Sequence, residues 1–92
     1  MIRSFKHRGL KRLYERGDRS GIRPDLLDTV EDIVARLDES DGPHALNLPG
    51  YRLHPLKGSL DGFWSVTVRA NWRIIFRFQG TDVLDVELID YH

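Results

Sequence analysis

The spacing of apolar residues changes character once along this chain, near residue 51, and that change divides it into a helical part and a sheet part. Ile2 to Phe5 reads as a short first strand. Leu10, Leu13 and Tyr14 then recur at helical spacing with Lys11, Arg12 and Arg16 on the other side, and Gly17 supplies a stop. After the Gly21-Ile22-Arg23-Pro24 punctuation, Leu26, Val30, Ile33 and Leu37, with Leu27 and Val34 beside them, form an apolar stripe on a second helix. The outward face of that helix carries Asp25, Asp28, Asp32 and Asp38, and is expected to be solvated. Gly42-Pro43 closes the helical part, with one further turn at His44 to Asn47.

From Tyr51 the period is two. Trp64, Val66 and Val68 alternate with Phe63, Ser65, Thr67 and Arg69, and Trp72, Ile74, Phe76 and Phe78 alternate with Arg73, Ile75 and Arg77. Ala70-Asn71 is expected to make a tight connection in which Asn accommodates the turn geometry, and Gln79-Gly80-Thr81 makes the next, before a last strand from Val83 to Ile89. The fold class is therefore α+β, a β-α-α unit followed by an antiparallel meander, with both helices on one face of a mostly antiparallel sheet. The other face is left open.

A length of 92 residues means one domain, 1–92, and excludes a two-domain enzyme. No run approaches the roughly 20 apolar residues that span a bilayer, and the N-terminus is charged from Arg3 without a signal-like apolar segment, so a cytoplasmic protein without membrane association is expected. The absence of cysteine removes disulfides and thiolate metal sites.

Net charge is zero, but the charges are sorted. Residues 1–23 carry eight Lys/Arg against Glu15 and Asp18, and residues 24–41 carry seven acids against Arg36. Residues 42–79 carry Arg52, Lys57, Arg69, Arg73 and Arg77 against Asp61, and residues 80–92 carry four acids alone. If the first and third blocks fold together they make a basic face suited to phosphates; otherwise the charges pair or solvate.

Strand phase selects residues that can meet on the open face. Arg52 and His54 share a side, with Lys57 directly after; Arg73 and Arg77 share a side; and Asp90 and His92 share one, roughly 7 Å apart. The last pair is also in phase with Leu84, Val86 and Leu88, which read as buried, so the tail must leave the core edge or bend. Two imidazoles with nearby cations match a metal-free ribonuclease site, where a base takes the 2′-hydroxyl proton, an acid protonates the leaving 5′-oxygen and cations hold the phosphorane charge. An imidazole titrates near 6.5 unperturbed, and Asp90 beside His92 is expected to raise that value, whereas a phenol near 10 makes Tyr91 a poor base. A metal site of His54, Asp90 and His92 is the competing arrangement, without a His-x-His or His-x-x-x-His pair to support it.

Ser4-Phe5-Lys6-His7, Arg52-Leu53-His54-Pro55-Leu56-Lys57-Gly58, Trp64 to Ile74 with its Asn71-Trp72-Arg73, and the closing Asp90-Tyr91-His92 together resemble the HigB toxin family of the RelE/ParE superfamily. The resemblance spans essentially the whole chain. It implies a ribosome-dependent mRNA interferase of a type II toxin–antitoxin system, which enters the 30S A site and cuts the codon displayed there, with no cofactor and no metal. Residue by residue, it implies a catalytic group of His54, Asp90, Tyr91 and His92, phosphate contacts by Lys57 and Arg73 with Arg52 nearby, and a codon-reading role for Asn71. Tyr91 is suited to stacking on an unpaired base. The partners implied are ribosome, mRNA and a helical DNA-binding HigA-type antitoxin, the toxin being monomeric alone and hetero-oligomeric with its antitoxin. HigA-type antitoxins tend to sit away from the active face, which makes the acidic second helix a candidate dock. One departure is Ser59-Leu60-Asp61 after Lys57-Gly58, where the family often has an acidic-basic pair. The alternatives are a ParE-like gyrase poison, which has no use for the histidines, and a protein of the same fold acting on ribosome biogenesis or free RNA. A further expectation concerns the closing triplet: an extension beyond His92 should crowd the site and impair activity.

Overall fold

The computed structural model describes residues 1–91. Helix α1 spans Arg8–Arg16, capped at its start by His7, whose Nδ1 accepts the Leu10 N–H at 3.1 Å. It ends on Gly17 at φ 67, a left-handed conformation that lets the Gly17 and Asp18 N–H groups reach back to the Leu13 and Arg12 carbonyls. Gly9 is required for a different reason: a Cβ there would stand 2.5 Å from the Gly21 carbonyl oxygen, so only glycine lets the loop after α1 lie on the helix. Helix α2 spans Leu27–Glu39 and buries Leu27, Val30, Ile33, Val34 and Leu37, the stripe expected from its sequence. A 3-10 turn at Pro43–Leu46 follows.

The sheet is a meander of β1 (His54–Pro55), β2 (Phe63–Arg69), β3 (Trp72–Gln79) and β4 (Asp82–Asp90), every neighbour antiparallel. Val66, Val68, Ile74, Phe76, Val83, Val86 and Leu88 face the helices and join Leu10, Leu13, Ile22, Leu26 and the α2 stripe in one hydrophobic core. Burial of these side chains at about 25 cal/mol per Å² of apolar surface is the main force holding the layers together.

Three local expectations are corrected. The first strand reduces to two isolated parallel bridges, Ile2 to Val83 and Phe5 to Val86. The ladder is interrupted because β4 carries an extra residue at Asp85 (φ 55), whose N–H goes to Ser4 Oγ at 2.8 Å instead of a backbone carbonyl. The segment beginning at Tyr51 enters the sheet only at His54, since Arg52 sits at φ 51 and breaks the extended run. In the β2–β3 turn the left-handed residue is Ala70 (φ 51), not Asn71.

The acidic face of α2 is not simply solvated. Asp38 accepts the Tyr14 hydroxyl at 2.6 Å and the Ile2 N–H at 3.1 Å, and these bonds hold its carboxyl below the usual carboxylate range while the Tyr14 phenol is pushed up. Asp32 accepts from Tyr51 and from Arg36, tying α2 to the loop before β1.

Candidate active site on the open face

Cross-strand register places a row of side chains on the face away from the helices: His54 opposite Ser65, Ser65 opposite Ile75, Ile75 opposite Glu87. The adjoining row is Thr67, Arg73 and Ile89. The Asp85 bulge shifts the phase of β4, so that Val83, Val86 and Leu88 point to the core, while Leu84 pairs with the open-face Arg77. Beyond the bulge, odd-numbered residues face the open side. Tyr91 therefore joins the open face, while Asp90, exposed, lies in phase with Leu88. His92, predicted to act in proton transfer, lies outside the described residues.

The result is a small cleft of about 80 Å³ lined by His54, Leu56, Ser65, Arg73, Ile75 and Tyr91. Ser65 and Ile75 form its floor, each almost wholly buried although neither belongs to the helix-side core. His54 comes from β1, Arg73 from β3 and Tyr91 from just past β4; strand phase in the sequence brings His54 and Arg73 together with Asp90 and His92, not with Tyr91. Ser65, Leu56 and Ile75 were not singled out in the sequence, although the alternation of β2 and the Leu-His-Pro-Leu-Lys-Gly stretch carried the signal.

The ring of His54 is oriented by the backbone. Its Nδ1 lies 2.9 Å from the Arg52 carbonyl oxygen, which can only accept, so Nδ1 carries the hydrogen and in the neutral ring Nε2 holds the lone pair. Arg73 is held by its own strand: Nη1 donates to the Ala70 carbonyl at 2.5 Å and to the Trp72 carbonyl at 3.1 Å. Its Nε and Nη2 groups have no hydrogen bond among the described residues, and no carboxylate there pairs with it. The Tyr91 backbone is pinned by its N–H donating to the Asn71 carbonyl at 2.7 Å.

The remaining predicted residues stand outside this lining. Arg52 contributes its carbonyl to His54, its side chain is exposed, and its left-handed backbone lies outside β1, so the strand alternation expected to link Arg52 and His54 does not extend to it. Lys57 is exposed at the start of a 3-10 turn over Gly58–Leu60, and Asn71 is exposed in the β2–β3 turn. No group of three or more His, Cys, Asp or Glu side chains among the described residues is placed to hold a metal ion. No helix is long and apolar enough to cross a membrane among them.

Many of the basic side chains are paired with carboxylates. Arg12 pairs with Asp18, Arg19 with Asp28 and Glu31, Arg23 with Asp25, Arg3 with Asp82 and Arg77 with Asp85. Arg8, Lys11, Arg12 and Arg16 line a separate groove on α1 together with Glu15.

The sequence matches, over residues 3–92, the family described as the RelE-like toxin of type II toxin–antitoxin system HigB. It is 47% identical to the endoribonuclease HigB of Proteus vulgaris across the whole of both chains. Among solved structures, YafQ from E. coli superposes with a TM-score of 0.59 at 19% identity, covering 95% of this chain and 87% of YafQ. YoeB in complex with YefM from Staphylococcus aureus gives 0.63 at 13% identity, covering 100% and 95%. These two likenesses establish the RelE-like fold.

Proposed function

Because the chain belongs to the HigB-like family of RelE-like toxins of type II toxin–antitoxin systems, in which the enzyme 47% identical to it is an endoribonuclease, we propose that it inhibits growth by cutting mRNA in the ribosomal A site, without a metal ion. The observation that carries this reading is the cleft in which an imidazole with an available Nε2, a guanidinium without a carboxylate partner among the described residues and an exposed phenol meet. Nε2 of His54 takes the proton of a 2′-hydroxyl, the 2′-oxygen attacks the adjacent phosphorus, and the bond to the 5′-oxygen breaks, leaving a 2′,3′-cyclic phosphate and a 5′-hydroxyl. Arg73 stabilises the charge that builds on the non-bridging oxygens. His92 returns a proton to the leaving 5′-oxygen, with Asp90 holding its imidazolium form. Tyr91 stacks on the base beside the scissile bond. Lys57 and Arg52 contact flanking phosphates, and Asn71 reads the codon's edge from the turn beside Tyr91.

A site with so few positioned groups gains from a particle that presents the mRNA already ordered, which supports ribosome dependence. A HigA-type antitoxin is the partner this family implies, binding α2 on the helical side and leaving a toxin that is monomeric when free. Action on the ribosome places the protein in the cytoplasm.

Mapping mRNA 5′ ends in a reconstituted translation system, with and without ribosomes, tests the reading. The parent chain is expected to cut only with ribosomes, and His54→Ala and His92→Ala to lower the rate by about 10²–10⁴-fold. Undiminished cutting by both variants overturns the catalytic assignment, and cutting of naked RNA overturns ribosome dependence. Supercoiling assays with gyrase are expected to show no poisoning.

A further inference from the structure

We infer that Tyr51, latched to Asp32 of α2, is a positioning residue for His54, acting through the backbone carbonyl of Arg52; the inference rests on the proposed role of His54. The chain of contacts starts on the helical layer. The Tyr51 hydroxyl donates to Asp32 Oδ2, and Arg36 Nε donates to the same oxygen at 3.3 Å. The ring of Tyr51 packs against the hydrophobic core. Its carbonyl accepts the Thr67 N–H at 2.7 Å and its N–H donates to the Leu48 carbonyl at 3.1 Å, so side chain and backbone are both fixed.

The next residue explains why such anchoring is needed. Arg52 occupies the left-handed region at φ 51, a conformation that a non-glycine residue keeps only when its surroundings hold it. Its own side chain is exposed and contributes no such hold. The restraint comes from Tyr51 on one side and from the pairing of His54 with Ser65 on the other. Held in this way, the Arg52 carbonyl meets His54 Nδ1 at 2.9 Å and selects the tautomer whose Nε2 is free for the cleft. An extended Arg52 would turn that carbonyl away and leave the imidazole to choose either tautomer. The hydrogen bond on the far side of the sheet from the cleft therefore sets the state of the base within it.

The test uses Tyr51→Phe, which keeps the packed ring and removes the hydroxyl, and Asp32→Asn, which weakens the acceptor, with Asp32→Glu as the conservative control. Nitrogen-15 NMR of the full chain is expected to show the Nδ1–H tautomer of His54 in the parent and in Asp32→Glu, and a mixture of tautomers in Tyr51→Phe and Asp32→Asn. In ribosome-bound cleavage, kcat is expected to fall by about tenfold in the latter two, with KM within about twofold of the parent. Thermal midpoints should stay within about 5 °C. An unmixed tautomer in both variants overturns the inference, whether or not activity falls. The NMR readout is independent of cleavage, so retained activity in His54→Ala overturns the reading of the site and leaves the latch to be judged on the tautomer alone.

Discussion

Arg73 and Arg77 stand four residues apart on β3, on the same open face of the sheet, and the structure treats them in opposite ways. Arg77 Nε donates to Asp85 Oδ2 at 2.6 Å, and the Asp85 backbone N–H is tied to Ser4, so this end of the face is a closed network that locks the β4 bulge to the N-terminal segment. Lys6 completes it by lying over the Phe63 ring at 5.6 Å. At the other end Arg73 has, among the described residues, only backbone carbonyls as hydrogen-bond partners, and it shares a cleft with His54 and Tyr91. One residue type in the same strand phase thus serves as a staple where a carboxylate faces it, and has no carboxylate partner among the described residues at the other end of the strand. A phosphate is the kind of group that meets such charge.

The sharpest way to break this contrast is to remove each arginine in turn. Arg73→Ala is expected to lower ribosome-dependent cleavage by about 10²–10³-fold with little change in stability, whereas Arg77→Ala should leave cleavage within a few-fold of the parent; equal losses in the two rate measurements would remove the distinction.

Tyr91→Ala comes next, with an expected loss of about 1–3 kcal/mol in kcat/KM from the missing stack, and Tyr91→Phe should recover most of it. If Phe proves as poor as Ala, the phenol oxygen matters and stacking is the wrong role.

Smaller effects belong to the stapled end. Arg77→Ala should cost about 1 kcal/mol in urea unfolding, a modest figure because the pair is partly exposed to solvent.

The pH dependence sharpens the same point. The Arg77 hydrogen bond holds the Asp85 carboxyl below its usual range, as the Tyr14 hydroxyl does for Asp38. A depressed folded value means stability that is complete above the ordinary carboxylate pKa and is lost as pH falls through the folded one. Unfolding midpoints should therefore decline below about pH 4, and Asp85→Asn should flatten part of that decline. An unchanged acid limb in Asp85→Asn would show that the staple contributes nothing to it.

Much of this architecture was legible in the sequence. The α2 stripe, the Gly17 stop and the alternation of β2 and β3 follow from the side chains of near neighbours, so periodicity alone placed them, and the motif-bearing residues His54 and Arg73 do meet in the cleft. What periodicity could not reach was the bulge at Asp85, the left-handed Arg52 and the departure of Lys57, Asn71 and Arg52 from the cleft lining. The sequence by itself determined the α2 stripe and the core-facing residues of β2 and β3, because hydrophobic burial there follows the local pattern. Only the tertiary structure decided that Val83 and not Leu84 enters the core and that Tyr91 shares a cleft with His54, because the bulge that sets the phase of β4 is held by Ser4 and Arg77, and Ser4 is 81 positions away in the chain.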